Sequence, residues 1–250
     1  MPPLTPIGEP FMEIGEVDSS NNYAMRQVQA QLAEHGATYF ASFQTQGKGQ
    51  RGKNWVAEPG QNIMMSCVLE PHLLNIDNKF VLSCCIALAC FDFFNEMAID
   101  NTSIKWPNDI YWGDRKAGGI LVENVLQGKE WKYAIVGIGI NINQTLFSPN
   151  LPNPVSLRQI TGKSFDSILL AKDLCTHLES RWKMLLGGQM LDLMNQYNAC
   201  LYKLNQTVWF RKHNAVYAAV IKGVNNCGEL LADTGNLSAI PHGDVEWLIG

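Results

Sequence analysis

One nonapeptide rules out more folds than any other part of this chain. Gly47-Lys48-Gly49-Gln50-Arg51-Gly52-Lys53-Asn54-Trp55 satisfies G-x-G-x-x-G, and Glu70 lies at about the spacing a dinucleotide site needs. It nearly satisfies the Walker A pattern too, with Asn54 where a Ser or Thr should ligate magnesium. Both phosphate loops require a helix to begin at the glycines, because its first amides hold the phosphates. The next residues, Trp55-Val56-Ala57-Glu58-Pro59-Gly60, do not read as a helix. The doubly wound dinucleotide fold and the P-loop fold are therefore disfavoured. The chemistry survives: glycines let a ligand approach the backbone, and Lys48, Arg51 and Lys53 concentrate positive charge. An anion, a phosphate first of all, suits such a loop. Read alone, the stretch also fits a solvated hairpin.

Around this loop the chain reads as short strands and a few helices. Asp18-Ser19-Ser20-Asn21 offers N-caps to an amphipathic helix carrying Ala24, Met25, Val28 and Leu32, with Gly36 as a stop. Thr38 to Gln44 and Asn62 to Leu69 read as strands. Asn78 to Met97 reads as a helix packed deep in the fold. Ser103 to Trp106, Ile110 to Trp112, Gly119 to Val125 and Trp131 to Ile138 follow as strands joined by short turns, which implies antiparallel pairing. Ser156 to Ile160 and Asp166 to Tyr202 look helical, broken near Gly187-Gly188. Trp182, Met184, Leu185, Leu191 and Met194 fit helix packing. From about Leu204 the chain turns to β-prone runs, Thr207 to Phe210, Val216 to Val224 and Glu229 to Ala232, a small all-β module.

Two further constellations carry chemistry. Lys105-Trp106-Pro107-Asn108-Asp109 is followed by Lys116 and Gly118-Gly119 at the start of a strand, where glycine permits close ligand approach and a lysine reaches the same space. Gly137-Ile138-Gly139-Ile140-Asn141 clears space with its glycines and supplies amide donors and acceptors. Each also has a bland reading, a tight turn before an ordinary strand and a strand ending in a bulge.

Taken together and in order, Ser19-Ser20-Asn21, the glycine loop ending at Trp55, the Lys105 to Asp109 motif, Lys116 with Gly118-Gly119, and Gly137-x-Gly139-Ile140-Asn141 resemble the biotin protein ligases. The resemblance implies an α/β (α+β) fold: a mixed, largely antiparallel sheet with helices over residues 1–203, then an SH3-like β module over 204–250. It implies an enzyme of the biotin–[acetyl-CoA-carboxylase] ligase type, with ATP and biotin as substrates and Mg2+ arriving with ATP. It implies catalytic roles for Lys116, Asp109 and Lys48. The biotin site would draw on Ser19, Ser20, Asn21, Gln44, Gly47, Lys48, Gly49, Gln50, Lys116 and Gly119. The ATP site would draw on Lys48, Arg51, Lys53, Trp55, Asn108, Lys116 and Asn141. The partner implied is a biotin carboxyl carrier domain of a biotin-dependent carboxylase, and the ligase would be a monomer or homodimer. Gln50 departs from the family pattern, which commonly has Arg there. The expectation is that Arg51 substitutes and the adenylate is retained. A lipoyl or octanoyl protein ligase and a non-catalytic biotin or nucleotide sensor are the alternatives.

Composition narrows the rest. Among 250 residues Lys plus Arg number 19 against 23 Asp plus Glu, a net charge of -4, which disfavours a nucleic-acid partner. With the family motifs beginning at Asp18, the expectation is a form without the N-terminal DNA-binding domain. Apolar residues are 46%, enough for a large core. The greasiest run, Val81 to Phe94, is interrupted by Ser83 and Asp92 and falls short of the roughly 18 to 20 residues a membrane span needs. No secretory signal opens the chain, and seven cysteines without C-x-x-C read as buried free thiols, so a cytoplasmic protein is expected. His35, His72, His177, His213 and His242 show no metal-ligand spacing, and no metal site is expected in the chain itself.

Overall fold

The computed structural model describes residues 4–71 and 74–248; His72 lies outside them. The larger sheet uses β1 (Phe11–Val17), β2 (Thr38–Gln44), β3 (Ile63–Leu69), β4 (Thr102–Lys105), β5 (Asp109–Trp112), β6 (Arg115–Gln127) and β7 (Glu130–Ile140). Their spatial order is β1-β2-β3-β7-β6-β5-β4. Among the described strands only β1 and β2 run parallel, and α1 (Ser20–Gln29) makes the crossover between them that parallel strands require. Every other strand pairing in this sheet is antiparallel, as the short turns imply, and the sheet is the mixed, largely antiparallel one that the resemblance implies.

The sheet has two covered faces. On one lie α2 (Lys79–Ala98) and α4 (Ser167–Leu186), with α5 (Met190–Ala199) packed against both and the short α3 (Leu157–Thr161) against α2. The alternation of β7 explains this: Ile138 and Ile140 bury on the helical face, while Gly137 and Gly139 face the other way. The opposite face receives α1, whose Ala24 and Val28 pack with Tyr39, Val68 and Ile135.

Helix α2 corrects one expectation. The stretch Ile76–Ala98 is long and apolar enough to cross a membrane, because Ser83 and Asp92 do not end the helix. Its side chains are buried nearly all round, from Val81 to Phe94, as the central helix of a core. Asp92 is matched there by Arg181 of α4, which donates to it at 2.6 and 3.0 Å and to Gln196 of α5 at 2.6 Å. Trp182, Leu185 and Met194 are buried in this layer and Met184 packs against it, but Leu191 is exposed. All seven cysteines are free; five are buried, while Cys200 is half-buried and Cys227 exposed, contrary to uniform burial.

The smaller sheet comprises β8 (Thr207–Lys212), β9 (Ala215–Val224), β10 (Leu230–Asp233), β11 (Leu237–Ile240) and β12 (Glu246–Leu248), ordered β11-β10-β9-β8-β12. It is entirely antiparallel. Phe210, Ile221 and Leu230 join the same apolar cluster as α2 and α4, and the Trp106 indole donates to the Gly228 carbonyl at 3.0 Å. The small sheet is thereby seated beside the β4–β5 turn.

Candidate active site

Strand register decides which residues form the floor. Asp109 of β5 opposes Gly119 of β6, Gly119 opposes Gly139 of β7, and Gly139 opposes Met64 of β3. Two residues along, Leu121, Gly137 and Ser66 form the next row, and Glu123, Ile135 and Val68 the one after. Partners across a ladder share a face, so three glycines lie together on the face away from α2. Above them opens a cleft of about 550 Å³.

Lys116 stands at the edge of this floor. A bulge in β6 pairs Ile110 with Gly118 but Tyr111 with Lys116, which leaves Ala117 unpaired with β5 and re-aims the lysine. Its ammonium donates to Asp109 Oδ1 at 2.7 Å. Gly119 leaves the necessary room, since a Cβ there would sit 3.3 Å from Asp109 Oδ1 and 3.4 Å from Lys116 Nζ. The strand begins four residues before the expected Gly119, which places Lys116 within β6 rather than in a turn.

The glycine loop closes over the cleft as a hairpin. Gly49 donates to Lys53 O at 2.6 Å and Trp55 to Gly47 O at 2.8 Å, with a single 3-10 turn at Gln50–Gly52 and Arg51 at a φ of 57°. No α-helix starts here, in keeping with the rejection of both phosphate-loop folds. The Trp55 indole lies on Gly139, where a Cβ would collide with it. Arg51 turns toward the small sheet: it donates to the Gly243 carbonyl at 3.0 Å, and its guanidinium covers that glycine.

At the other end, α1 brings in Ser19, Ser20 and Asn21, all buried. Ser19 is the N-cap but makes no side-chain cap bond, so its hydroxyl is not spent on the helix. The Ser20 amide donates to Gln44 Oε1 at 2.7 Å. Asn21 receives a hydrogen bond from Ser66 at 2.6 Å and donates to Glu123 at 2.7 Å. Asp18 fastens the first turn, its carboxyl held well below the ordinary range by Arg26, which donates at 2.9 and 3.1 Å.

Of the residues singled out from sequence, Ser19, Ser20, Asn21, Gln44, Lys48, Gly49, Gln50, Arg51, Lys53, Trp55, Asn108, Asp109, Lys116, Gly119 and Asn141 all line the cleft. Gly47 lies behind it, where a Cβ would strike the Trp55 carbonyl, so its part is to let the hairpin close. Asn108 and Asn141 hold backbone: Asn108 donates to Ile120 O, and Asn141 to Val155 O at 3.1 Å.

Several residues at the cleft escaped the sequence reading. Ser66 and Glu123, in ordinary-looking strands, stand just behind its lining and bond to Asn21, Ser20 and Lys48. His242, Gly243 and Trp247 come from the small sheet, about which local pattern says nothing. Burial lowers the proton affinity of His242, and Arg51 nearby adds to this. Lys105 had a motif but no role. Its ammonium donates to Tyr111 OH at 3.3 Å and stands 5.1 Å from the Tyr111 ring centroid and 5.5 Å from that of Trp247. Burial lowers its pKa to about 8; Asp109 opposes the shift, and Lys116 and Lys53 reinforce it. Five cationic side chains, Lys48, Arg51, Lys53, Lys105 and Lys116, line the cleft against two carboxylates, Asp109 and Glu246. In a protein of net charge -4 the cleft is locally inverted in sign.

Comparison with known proteins bears on the family and the fold. The biotin/lipoate A/B protein ligase family model matches residues 14–141. The chain is 26% identical over 238 residues to the bifunctional ligase/repressor BirA of Bacillus subtilis, covering 92% of this chain and 72% of that protein. It is 28% identical over 228 residues to the biotin–[acetyl-CoA-carboxylase] ligase of Paracoccus denitrificans, covering 87% and 92%. In fold it is similar to the biotin protein ligase from Aquifex aeolicus in complex with biotin and ATP, with a TM-score of 0.79 at 23% identity, covering 96% and 98%.

Proposed function

The chain belongs to the biotin/lipoate A/B protein ligase family, and from that premise we propose that it is an ATP-dependent biotin protein ligase. In this reading the biotin carboxylate attacks the α-phosphate of MgATP, giving biotinyl-5′-adenylate and pyrophosphate. The ε-amine of a lysine on a biotin carboxyl carrier domain then attacks the acyl carbon, and AMP leaves. Residues 1–203 would be the catalytic part and 204–250 an SH3-like module. The reaction belongs in the cytoplasm, where ATP meets a reducing milieu suited to free thiols.

The observation that carries the reading is the Lys116–Asp109 pair beside paired glycines, under a loop of cations. Joining a carboxylate to a triphosphate brings two anions together, and their repulsion is part of the barrier. Lys116 spends one of three N–H donors on Asp109 and keeps two to bridge the reacting oxygens. A cation positioned before the reaction needs no reorganisation as charge develops at phosphorus. Gly119 and Gly139 let the ligand lie on backbone, and Ser19, Ser20 and Gln44 supply polar groups for a ureido ring. Lys48 reaches the biotin carboxylate and the α-phosphate, while Gln50, Arg51 and Lys53 form the cover over the nucleotide, where Arg51 supplies the charge that Gln50 lacks and the adenylate is retained.

Pyrophosphate exchange into ATP tests this directly. Exchange that needs biotin is expected. Exchange running on lipoate or octanoate instead would move the protein to the other branch of its family. Tight biotin binding without any exchange would mark a sensor. Rapid escape of free adenylate from the purified protein would contradict its retention.

A further inference from the structure

Glu123 has no part in the reaction as described, yet it touches both sides of the cleft. Register places it on the floor face of β6, in line with Gly119 and Leu121. Its Oε2 accepts from Asn21 Nδ2 at 2.7 Å, and its Oε1 lies 3.4 Å from the Lys48 ammonium. One carboxylate thus joins the start of α1 to the glycine loop. The connection continues from Asn21 to Ser66 at 2.6 Å and from Ser66 to the Ser20 hydroxyl at 2.7 Å. Among the described residues, Lys48 is the only one of the three loop cations with a carboxylate within 4 Å; Arg51 is engaged by a backbone carbonyl.

We propose that Glu123 is an internal counter-ion that occupies Lys48 until an anionic ligand tail displaces it, and so sets how strongly the site favours a charged tail over a neutral one. The proposal rests on the assignment of Lys48 to the biotin carboxylate. A ligand carboxylate reaching Lys48 exchanges one oxygen anion for another, so the gain is only the difference between them. The neighbours suit that exchange. Asn21 is held by Ser66 as well as by Glu123, and the pair is part-exposed, so Lys48 can leave Glu123 without stranding a buried charge. Glu123 is a positioning residue here: it acts on the ligand through Lys48.

The test compares biotin with its uncharged alcohol analogue, biotinol, by calorimetric titration of the full chain. Glu123→Gln keeps an oxygen acceptor for Asn21 and removes the charge facing Lys48. Biotin is expected to bind about two- to five-fold more tightly to this variant, the range of a part-exposed ion pair, while biotinol is unchanged. The gain should vanish in a Lys48→Met background. If Glu123→Gln does not fold, Glu123→Asp, which keeps a carboxylate but falls short of Lys48, should shift the biotin-to-biotinol ratio the same way. An equal change in both ligands, no change in either, or weaker binding of biotin alone overturns the counter-ion role and leaves the proposed function standing. A wild-type chain that binds neither ligand overturns both.

Discussion

Lys116 and Lys105 occupy one cleft in opposite circumstances. Lys116 has Asp109 at 2.7 Å, while Lys105 has a phenol and two rings. Lys116→Ala is expected to lower adenylate formation by about 10² to 10³, the cost of removing one preorganised donor. Its stability should fall by no more than about 1 kcal/mol, because the pair is part-exposed. Pyrophosphate exchange and a thermal melt check both, and near-normal turnover would remove Lys116 from its role. Lys105 is governed by burial, which lowers its pKa to about 8. Its charge is present below that pH and lost above it, so affinity for ATP should fall between pH 7 and 9.5, and Lys105→Met should flatten this part of the profile. Stability runs the other way. From pH 8 toward the ordinary lysine range the unfolded chain holds the proton more tightly, so the wild type should gain stability relative to Lys105→Met as pH rises. Titrations and melts across that range test the two signs separately.

At the scale of elements, the paired glycines of β6 and β7 decide what the sheet can hold. Asn21 is pinned against Gly137 by Ser66 and Glu123, so a methyl group there has nothing yielding to push. Gly137→Ala is expected to destabilise the fold by about 1 to 3 kcal/mol, as overpacking does, by lifting α1 from the sheet. Gly139 faces the Trp55 indole, which sits on a loop and can move. Gly139→Ala should therefore spare stability and instead shift tryptophan fluorescence and weaken ligand binding. Equal melting losses in the two variants would refute this contrast. Most elements were legible in the sequence because hydrophobic alternation and turn residues are local: β2 lies where Thr38 to Gln44 was read, and α2 within a residue of its expected ends. Strand β1 escaped because Gly15 and the exposed Glu13 and Glu16 dilute its pattern on an edge strand. Strands β11 and β12 escaped because Ile240 is their only buried residue, which leaves no apolar alternation to read.

For the molecule as a whole, the contact between Arg51 and Gly243 joins the glycine loop to the small sheet across 192 positions of chain. Gly243 has a φ of +88°, and a Cβ there would strike the guanidinium. Gly243→Ala is expected to cost about 1 to 2 kcal/mol of backbone strain and to dislodge Arg51. Titrations should then show weaker ATP binding with biotin binding unchanged; a loss confined to biotin would contradict the assignment of Arg51 to the nucleotide. Beyond what the family resemblance supplied, local chemistry along the chain was enough to disfavour a phosphate-binding helix at the glycine loop, to place the main strands and helices, and to single out Lys48, Arg51, Lys53, Lys116 and the glycines of β6 and β7. Those features depend on neighbours a few positions apart, through side-chain periodicity and glycine's conformational range. Which cations share a cavity, that Lys116 meets Asp109 across a bulge, that Glu123 faces Lys48, and that Trp247 covers Lys105 depended on strand register and on where the small sheet docks. Those are set by burial of apolar surface between distant segments, and no short stretch of sequence carries them.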